Sequence, residues 1–127
     1  MSIQLCPNSN GTSAVEFALT APLFMMLVFG VIEGGLLLWS QINLQRAVAI
    51  AARCASVDTL TCADAESIQN YAAQQAYGIS LPASTFTIDS PACGNRVTAV
   101  YTYRFLTTYF GMPTQSLTAQ SCFPRKQ

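Results

Sequence analysis

The chain has 127 residues, of which 51% are apolar and only 9% are charged, and its formal net charge is zero. This length allows one domain, and the low charge content argues against a freely soluble protein, in which roughly a quarter of the residues are charged. The chain has zero net charge and no basic run, so we expect no nucleic-acid partner. It also lacks histidine, the commonest metal ligand and general base. We therefore expect no metal, cofactor or enzymatic activity.

The first predicted element is a membrane-spanning helix. Residues 17–39 form an apolar run of 23 residues, from Phe17 to Trp39, in which Glu33 is the only charge. At 1.5 Å per residue this run would extend about 35 Å, enough for a hydrocarbon core of about 30 Å. The apolar core of a cleaved secretory signal is only about 7–15 residues long, so that alternative fits poorly.

Four residues of this span have predicted roles in helix packing. Pro22 removes one backbone hydrogen bond, to Ala18, and should kink the helix. Gly30 and Gly34 have the Gly-x-x-x-Gly spacing that lets a second helix approach closely. Glu33 is costly in lipid, so it either faces protein, water or a partner charge, or reaches the outer membrane interface. The sequence leaves both alternatives open.

A compact domain at 57–127 is predicted beyond the span. Residues 40–55 have a moderately amphipathic pattern. They either continue the first helix, which then covers 12–56 and supports this domain, or form a separate surface helix. We expect the continuous helix.

The first element of the domain is a second helix at about 63–77. Thr61 or Asp64 could cap its start, and Gly78 could end it. Helical spacing gives it an inner stripe of Ile68, Tyr71, Ala72 and Ala76.

Three strands of a small antiparallel sheet follow, at 85–89, 96–105 and 115–123. Apolar and polar residues alternate clearly in the middle strand and more weakly in the last. A turn at 111–113 makes the last two strands antiparallel neighbours. The alternation places the following residues on one side of their strands: Phe86 and Ile88, then Val97, Ala99, Tyr101, Tyr103 and Phe105, then Leu117, Ala119 and Phe123. The predicted fold class is therefore α+β, with a long N-terminal helix, a short helix and about three strands.

Five cysteines occur without a Cys-x-x-Cys spacing, which favours disulfides in an oxidising compartment over a zinc site. Cys6 stands apart from the other four. Cys54 and Cys62 flank a short turn, and pairing of the last two strands brings Cys93 near Cys122. We therefore predict Cys54–Cys62 and Cys93–Cys122, one of three pairings that four cysteines allow.

The start of the first helix resembles a type IV prepilin processing site. A polar leader at 1–11 ends in Gly11, Thr12 follows, and Glu16 and Phe17 precede the apolar run. Unlike most such leaders, this one contains no Lys or Arg at positions 1–10.

The match is more specific to one family. Ala-Val-Glu-Phe-Ala-Leu at 14–19, Pro22, and Phe-Gly-Val-Ile-Glu-Gly at 29–34 make the chain similar to the TadE-like pseudopilins of the tight-adherence (Flp-type) pilus system. The resemblance covers about residues 11–55. Beyond them only the general layout is shared.

This resemblance implies a minor pilin that acts in pilus biogenesis, adhesion or secretion. A prepilin peptidase would cut the Gly11–Thr12 bond, and Glu16, beside Phe17, would meet the new N-terminal amine of a neighbouring subunit. The implied partners are the bacterial inner membrane, this peptidase and other pilins of the system, bound through the N-terminal helix.

Two observations on the chain disagree about topology. Arg46 and Arg53 follow the span, and a positive-inside count would place the C-terminal domain in the cytoplasm. The cysteines indicate the reverse, and we follow them: a single-pass inner-membrane protein with a periplasmic domain, which a cell-surface pilus could incorporate. The alternative function is a bitopic membrane protein with a disulfide-bonded binding domain, which predicts no processing at Gly11.

Overall fold

The computed structural model describes residues 10–106, 111 and 113–125. It has the predicted α+β architecture, in which a long N-terminal helix precedes a short helix and a three-stranded antiparallel sheet. The elements are α1 (Asn10–Val57), α2 (Ala65–Gln75), β1 (Phe86–Asp89), β2 (Asn95–Arg104) and β3 (Thr114–Phe123). A short 3-10 helix, Ala83–Thr85, leads into β1.

Helix α1 is one continuous element of 48 residues, so 40–55 does not form a separate surface helix. It is about 72 Å long at the usual rise of 1.5 Å per residue. It continues through Pro22 and is slightly longer at both ends than the predicted 12–56. Residues 1–9, which include Cys6 and most of the predicted leader, lie outside the described residues.

The two halves of α1 differ in what surrounds them. Residues 11–32 include no buried side chain, whereas Glu33 is buried, Leu37 is half-buried, and buried residues recur every three or four positions from Ser40 onward. This spacing places them on one face of the helix, against α2 and the sheet. Small side chains on that face allow close packing. The buried residues of the second half are Glu33, Ser40, Asn43, Leu44, Ala47, Val48, Ala51, Ala52 and Ser56.

Helix α2 begins at a capping box. The Asp64 carboxylate accepts a hydrogen bond of 2.7 Å from the Ser67 N–H, and the Ser67 hydroxyl accepts one of 3.1 Å from the Asp64 N–H. Asp64, and not Thr61, is therefore the N-cap. The helix ends at Gln75, two residues before the predicted end, because Ala76 already has non-helical backbone angles. Ile68, Ala72 and Ala76 of the predicted stripe are buried, and Tyr71 is half-buried.

The sheet has the order β1-β2-β3, with both neighbouring pairs antiparallel, and each strand begins and ends within one residue of its predicted bounds. The turn predicted at 111–113 includes Met112, which lies outside the described residues. Phe123 is 37% exposed, although the weak alternation of β3 groups it with Leu117 and Ala119, which are buried. It is the last residue of β3 and lies beside Ser56, where α1 ends, so little of the helix remains to cover its ring. The buried residues of the sheet are Phe86, Val97, Ala99, Tyr103, Leu117 and Ala119.

The strands run along α1. The Asn95 side chain, at the start of β2, donates a hydrogen bond of 2.8 Å to the Ala55 carbonyl, whereas Tyr103, at the other end of β2, contacts Glu33. Strand β2 is therefore antiparallel to the helix. We call the end of the domain at Glu33 the near end and the end at Ser56 the far end.

Both disulfides lie at the far end. They join Cys54 to Cys62 and Cys93 to Cys122, the two pairs expected from the sequence. The first joins α1 to the loop before α2, and the second joins β3 to the loop before β2.

Candidate functional site

The N-terminal part of α1 is an exposed apolar rod. Phe17 and Leu23 are 72% and 75% exposed, and the other large apolar side chains between 15 and 32 are also largely uncovered. Monomeric soluble proteins rarely expose apolar patches of more than a few hundred Å². Within the described residues, α1 alone is long and apolar enough to cross a membrane, and its most apolar window has no buried residue. The structure is consistent with a single-pass membrane protein.

The residues of the predicted processing site lie in the first turns of α1 and are exposed. No atom lies within 4 Å of the position that a Cβ would take at Gly11. The backbone carbonyl of Glu16 accepts a hydrogen bond of 2.9 Å from the Thr20 hydroxyl, while the Glu16 carboxylate has no partner among the described residues. The carboxylate of Glu16 is thus free to pair with a cation from another molecule.

The glycines predicted to pack against a second helix form an open strip on α1. A Cβ at Gly30 or at Gly34 would meet no atom within 4 Å. The described part of this chain therefore leaves the strip uncovered, and another helix could approach it closely.

Glu33 marks the boundary between the exposed and the covered parts of α1. Its side chain is 7% exposed. Its Oε1 atom accepts a hydrogen bond of 3.2 Å from the Tyr103 hydroxyl and one of 2.9 Å from the backbone N–H of Leu106. Of the two alternatives that the sequence left open, Glu33 therefore faces protein and does not reach out to the membrane interface. It contacts the domain of its own chain.

Tyr103 is held in place at the near end of β2. It is buried, and its ring meets that of Phe105 edge to face, with the ring centroids 5.3 Å apart. Burial, followed by the negative charge of Glu33, raises the pKa of the Tyr103 hydroxyl. The hydroxyl consequently keeps its proton and remains a donor to the Glu33 carboxylate.

The two donors to Glu33 are harder to predict from the sequence than the carboxylate itself. A buried acid requires donors, and the alternation of β2 places both Tyr101 and Tyr103 on the same side as the buried Val97 and Ala99. Choosing between these tyrosines requires the position of the sheet along α1. Leu106 contributes a backbone N–H, which leaves no signal in the sequence.

Metal ligands are not grouped in the part of the chain that the structure describes. No cluster of three or more Cys, Asp or Glu side chains suited to a metal ion occurs there. The four paired cysteines are engaged in disulfides.

Comparison with known families agrees with this geometry. The family model described as TadE-like protein matches residues 11–53. This segment resembles the TadE-like proteins. The match confirms the resemblance predicted from the sequence and covers about a third of the chain. The TadE-like segment contains the exposed rod, Glu16 and Glu33, and continues along the part of α1 that carries the domain. Searches of the curated proteins and of the solved structures found no significant match.

Proposed function

We propose that this chain is a minor pilin or pseudopilin of a bacterial Tad (Flp-type) pilus assembly system. The observation that carries the proposal is the exposed rod at 11–32, which lies in the segment matched by the TadE-like family model. Near its start the rod bears the Glu16 carboxylate, which has no partner among the described residues. In this proposal a prepilin peptidase cuts the Gly11–Thr12 bond, which leaves a new ammonium group on Thr12.

Pairing of this ammonium with Glu16 of a neighbouring subunit would favour assembly. An isolated carboxylate costs a few kcal/mol in a membrane, while one that is paired with a fixed cation is tolerated and sets the register of two helices. Phe17 is exposed beside Glu16, and the open strip at Gly30 and Gly34 would let the rods pack closely. Cleavage would thus create the partner that assembly requires.

The proposed location is the inner membrane, with the domain on the periplasmic side. Two disulfides support this side, because they form and persist in oxidising compartments. The role is non-enzymatic, and the partners are the prepilin peptidase and other pilins of the same system. The domain is held to α1 along its length and would be displayed wherever the rod is assembled.

The test is processing in the native host. Mass spectrometry of the purified protein should find a chain that begins at Thr12, and Gly11→Val should abolish the cut. Because a side chain at Gly11 meets no atom of the described residues outside its own turn of α1, a loss of processing would reflect the peptidase and not the fold. Gly35→Val, at a second open glycine of α1, is the matched control and should be processed normally.

The role of Glu16 is tested in the same host. Glu16→Ala should be processed but should fail to co-assemble with its partner pilins. Glu66→Ala, an exposed acid on α2, should assemble normally. A chain that still begins at Met1, together with normal assembly of the Glu16 variant, would contradict the proposal and favour a plain bitopic membrane protein with a binding domain.

A further inference from the structure

The near end of the domain contains a cleft beside the Glu33 contact. Its volume is about 490 Å³. It opens between α1, the loop after α2 and the end of β2. The residues that define this near-end cleft are Leu36, Trp39, Gly78, Ser80, Arg104 and Leu106.

The rim of the cleft is apolar and exposed. Leu106 is 77% exposed, Trp39 is 59% exposed and Leu36 is 41% exposed. Leu36 and Trp39 follow directly after the rod on α1, and the hydrogen bond from Leu106 to Glu33 places Leu106 where the rod ends. The apolar surface of the rod therefore continues onto the rim of the cleft.

Two donors line the same cleft. Arg104 is exposed and has no acidic partner among the described residues. The Trp39 indole N–H also lacks a hydrogen-bond partner within that part of the chain, and the absence of a side chain at Gly78 leaves room beside the indole nitrogen. Arg104 and Trp39 both line this cleft. A guanidinium and an indole N–H are each suited to a phosphate group, which accepts several hydrogen bonds from such donors.

The depth of these donors matches the head-group layer of a bilayer. The rod at 11–32 extends about 33 Å, enough to cross a hydrocarbon core of about 30 Å, which places Glu33 near the outer boundary of that core. Along α1, Trp39 lies about 9 Å beyond Glu33. Arg104, the last residue of β2, is two residues from Leu106 and therefore at most about 7 Å away. The head-group layer is about 5–8 Å thick on each side, and the side chains of a helix tilt toward its N-terminus, so the Trp39 indole reaches back toward this layer.

We propose that the near-end cleft binds the head group of an anionic phospholipid from the membrane that the rod crosses. Arg104 and the Trp39 N–H would contact the phosphate, while Leu36 and Leu106 would lie against the upper acyl chain. Tryptophan and arginine are common anchors at this depth of a bilayer. The domain would then rest on the membrane surface in a fixed orientation. This inference relies on the membrane span of the proposed function, but not on processing or pilus assembly.

Trp39 is the only tryptophan of the chain, so its fluorescence reports on this cleft alone. We would reconstitute the full-length protein in phosphatidylcholine vesicles that contain a small fraction of a spin-labelled lipid. This lipid is either phosphatidylglycerol or phosphatidylcholine, and both carry the label near the head group. The expected result is stronger quenching by the labelled phosphatidylglycerol. One arginine at an anionic surface contributes about 1 kcal/mol, so the apparent affinity should differ about fivefold.

Arg104→Gln should remove this difference between the two labelled lipids. Arg53→Gln is the matched control, because Arg53 is also exposed but lies about 21 Å further along α1, well beyond the screening length of about 10 Å. It should leave the quenching unchanged. Equal quenching by both lipids in the unmodified protein, or an equal effect of the two substitutions, would overturn the proposal. A Trp39 fluorescence that changes with protein concentration, and is the same with and without labelled lipid, would also overturn it. Such a result would indicate a second protein subunit in the cleft.

Carbonate extraction of the same vesicles separates the possible failures. A protein that resists extraction has inserted its rod, so a negative quenching result then counts against the cleft alone. A protein that is extracted has no membrane span, and both this inference and the proposed function are then wrong.

Discussion

Glu33 connects the rod to the domain through hydrogen bonds from Tyr103 and Leu106. A carboxylate within an apolar helix would ordinarily be destabilising, but here it satisfies a side-chain hydroxyl and a backbone N–H that are otherwise left without a partner. The sequence singles out Glu33 by its charge. The register of the strands along α1, which decides the partners, depends on tertiary packing.

Replacing this acid should weaken the near end. Glu33→Ala would leave both donors without an acceptor and should lower the free energy of unfolding of the domain by about 3 kcal/mol. Tyr103→Phe removes a single hydrogen bond and should cost about 1–2 kcal/mol. Urea unfolding in detergent, followed by Trp39 fluorescence, would measure both. Glu66→Ala, which removes an exposed acid, is the control, and an equal loss in all three variants would exclude a specific role for Glu33.

Three exposed aspartates should make the domain less stable in acid. Hydrogen bonds from Thr61 lower the pKa of Asp58, hydrogen bonds from Ser67 lower that of Asp64, and the Arg96 guanidinium lowers that of Asp89, each from 3.8. A lowered pKa in the folded state stabilises the fold above the pKa of the unfolded state. That stabilisation is lost as the pH falls through the folded value.

The melting temperature should therefore change little between neutral pH and about pH 4 and should fall below that pH. A triple substitution, Asp58→Asn, Asp64→Asn and Asp89→Asn, should make this decline shallower. Circular dichroism at a series of pH values would test the expectation. An unchanged acid profile in the triple variant would show that other groups control it.

At the scale of elements, local patterns predicted the strands better than the ends of α2. In β2, apolar and polar residues alternate nearly to both ends of the strand, so the pattern predicts where the strand begins and ends. Helix α2 stops at Gln75, although Gly78, with a positive φ of 76°, was expected to end it. Gly78 as the stop signal carried the prediction to Tyr77, while the backbone leaves the helix at Ala76, where φ is −81° and ψ is 74°.

The two disulfides should differ in what they contribute. Cys54–Cys62 closes a loop with a sequence separation of 8, and Cys93–Cys122 closes one of 29. The chain-entropy relation gives about 2.5 and about 3.5 kcal/mol, so the double variant Cys93→Ala and Cys122→Ala should be the less stable by about 1 kcal/mol.

Alanine is the suitable replacement because Cys62 is buried, and a serine there would add an unsatisfied hydroxyl. Urea unfolding of the two double variants beside the unmodified protein would measure the difference. A larger loss in the free energy of unfolding for the variant that lacks Cys54 and Cys62 would contradict this expectation. It would mean that the Cys54–Cys62 disulfide stabilises the fold by more than the length of its loop predicts.

At the scale of the whole molecule, one helix serves two environments. The predicted span of 17–39 lies within α1, but its last part already contacts the domain. Glu33 and Leu37 already contact the domain within the apolar run. Hydropathy alone could not reveal this, since an apolar residue can face lipid or the core of a protein.

Matched arginine substitutions should separate the two environments. Leu27 and Ile42 are 64% and 65% exposed on the same helix, on opposite sides of Glu33. Leu27→Arg should impair membrane insertion, because an arginine near the centre of a span costs about 3 kcal/mol. Ile42→Arg should insert normally. Carbonate extraction measures both, and equal extraction of the two variants would mean that Glu33 does not mark the membrane boundary.

The alignment of β2 with α1 also has a mechanical consequence. A pull on the rod, directed away from the domain, would load in shear the contacts between the sheet and residues 33–55 of α1. Many of these contacts would then have to break together. The Cys54–Cys62 crosslink would stop the short connection between α1 and α2 from extending, even after those contacts yield. A sustained pull would therefore reach α2 without the slack of that loop.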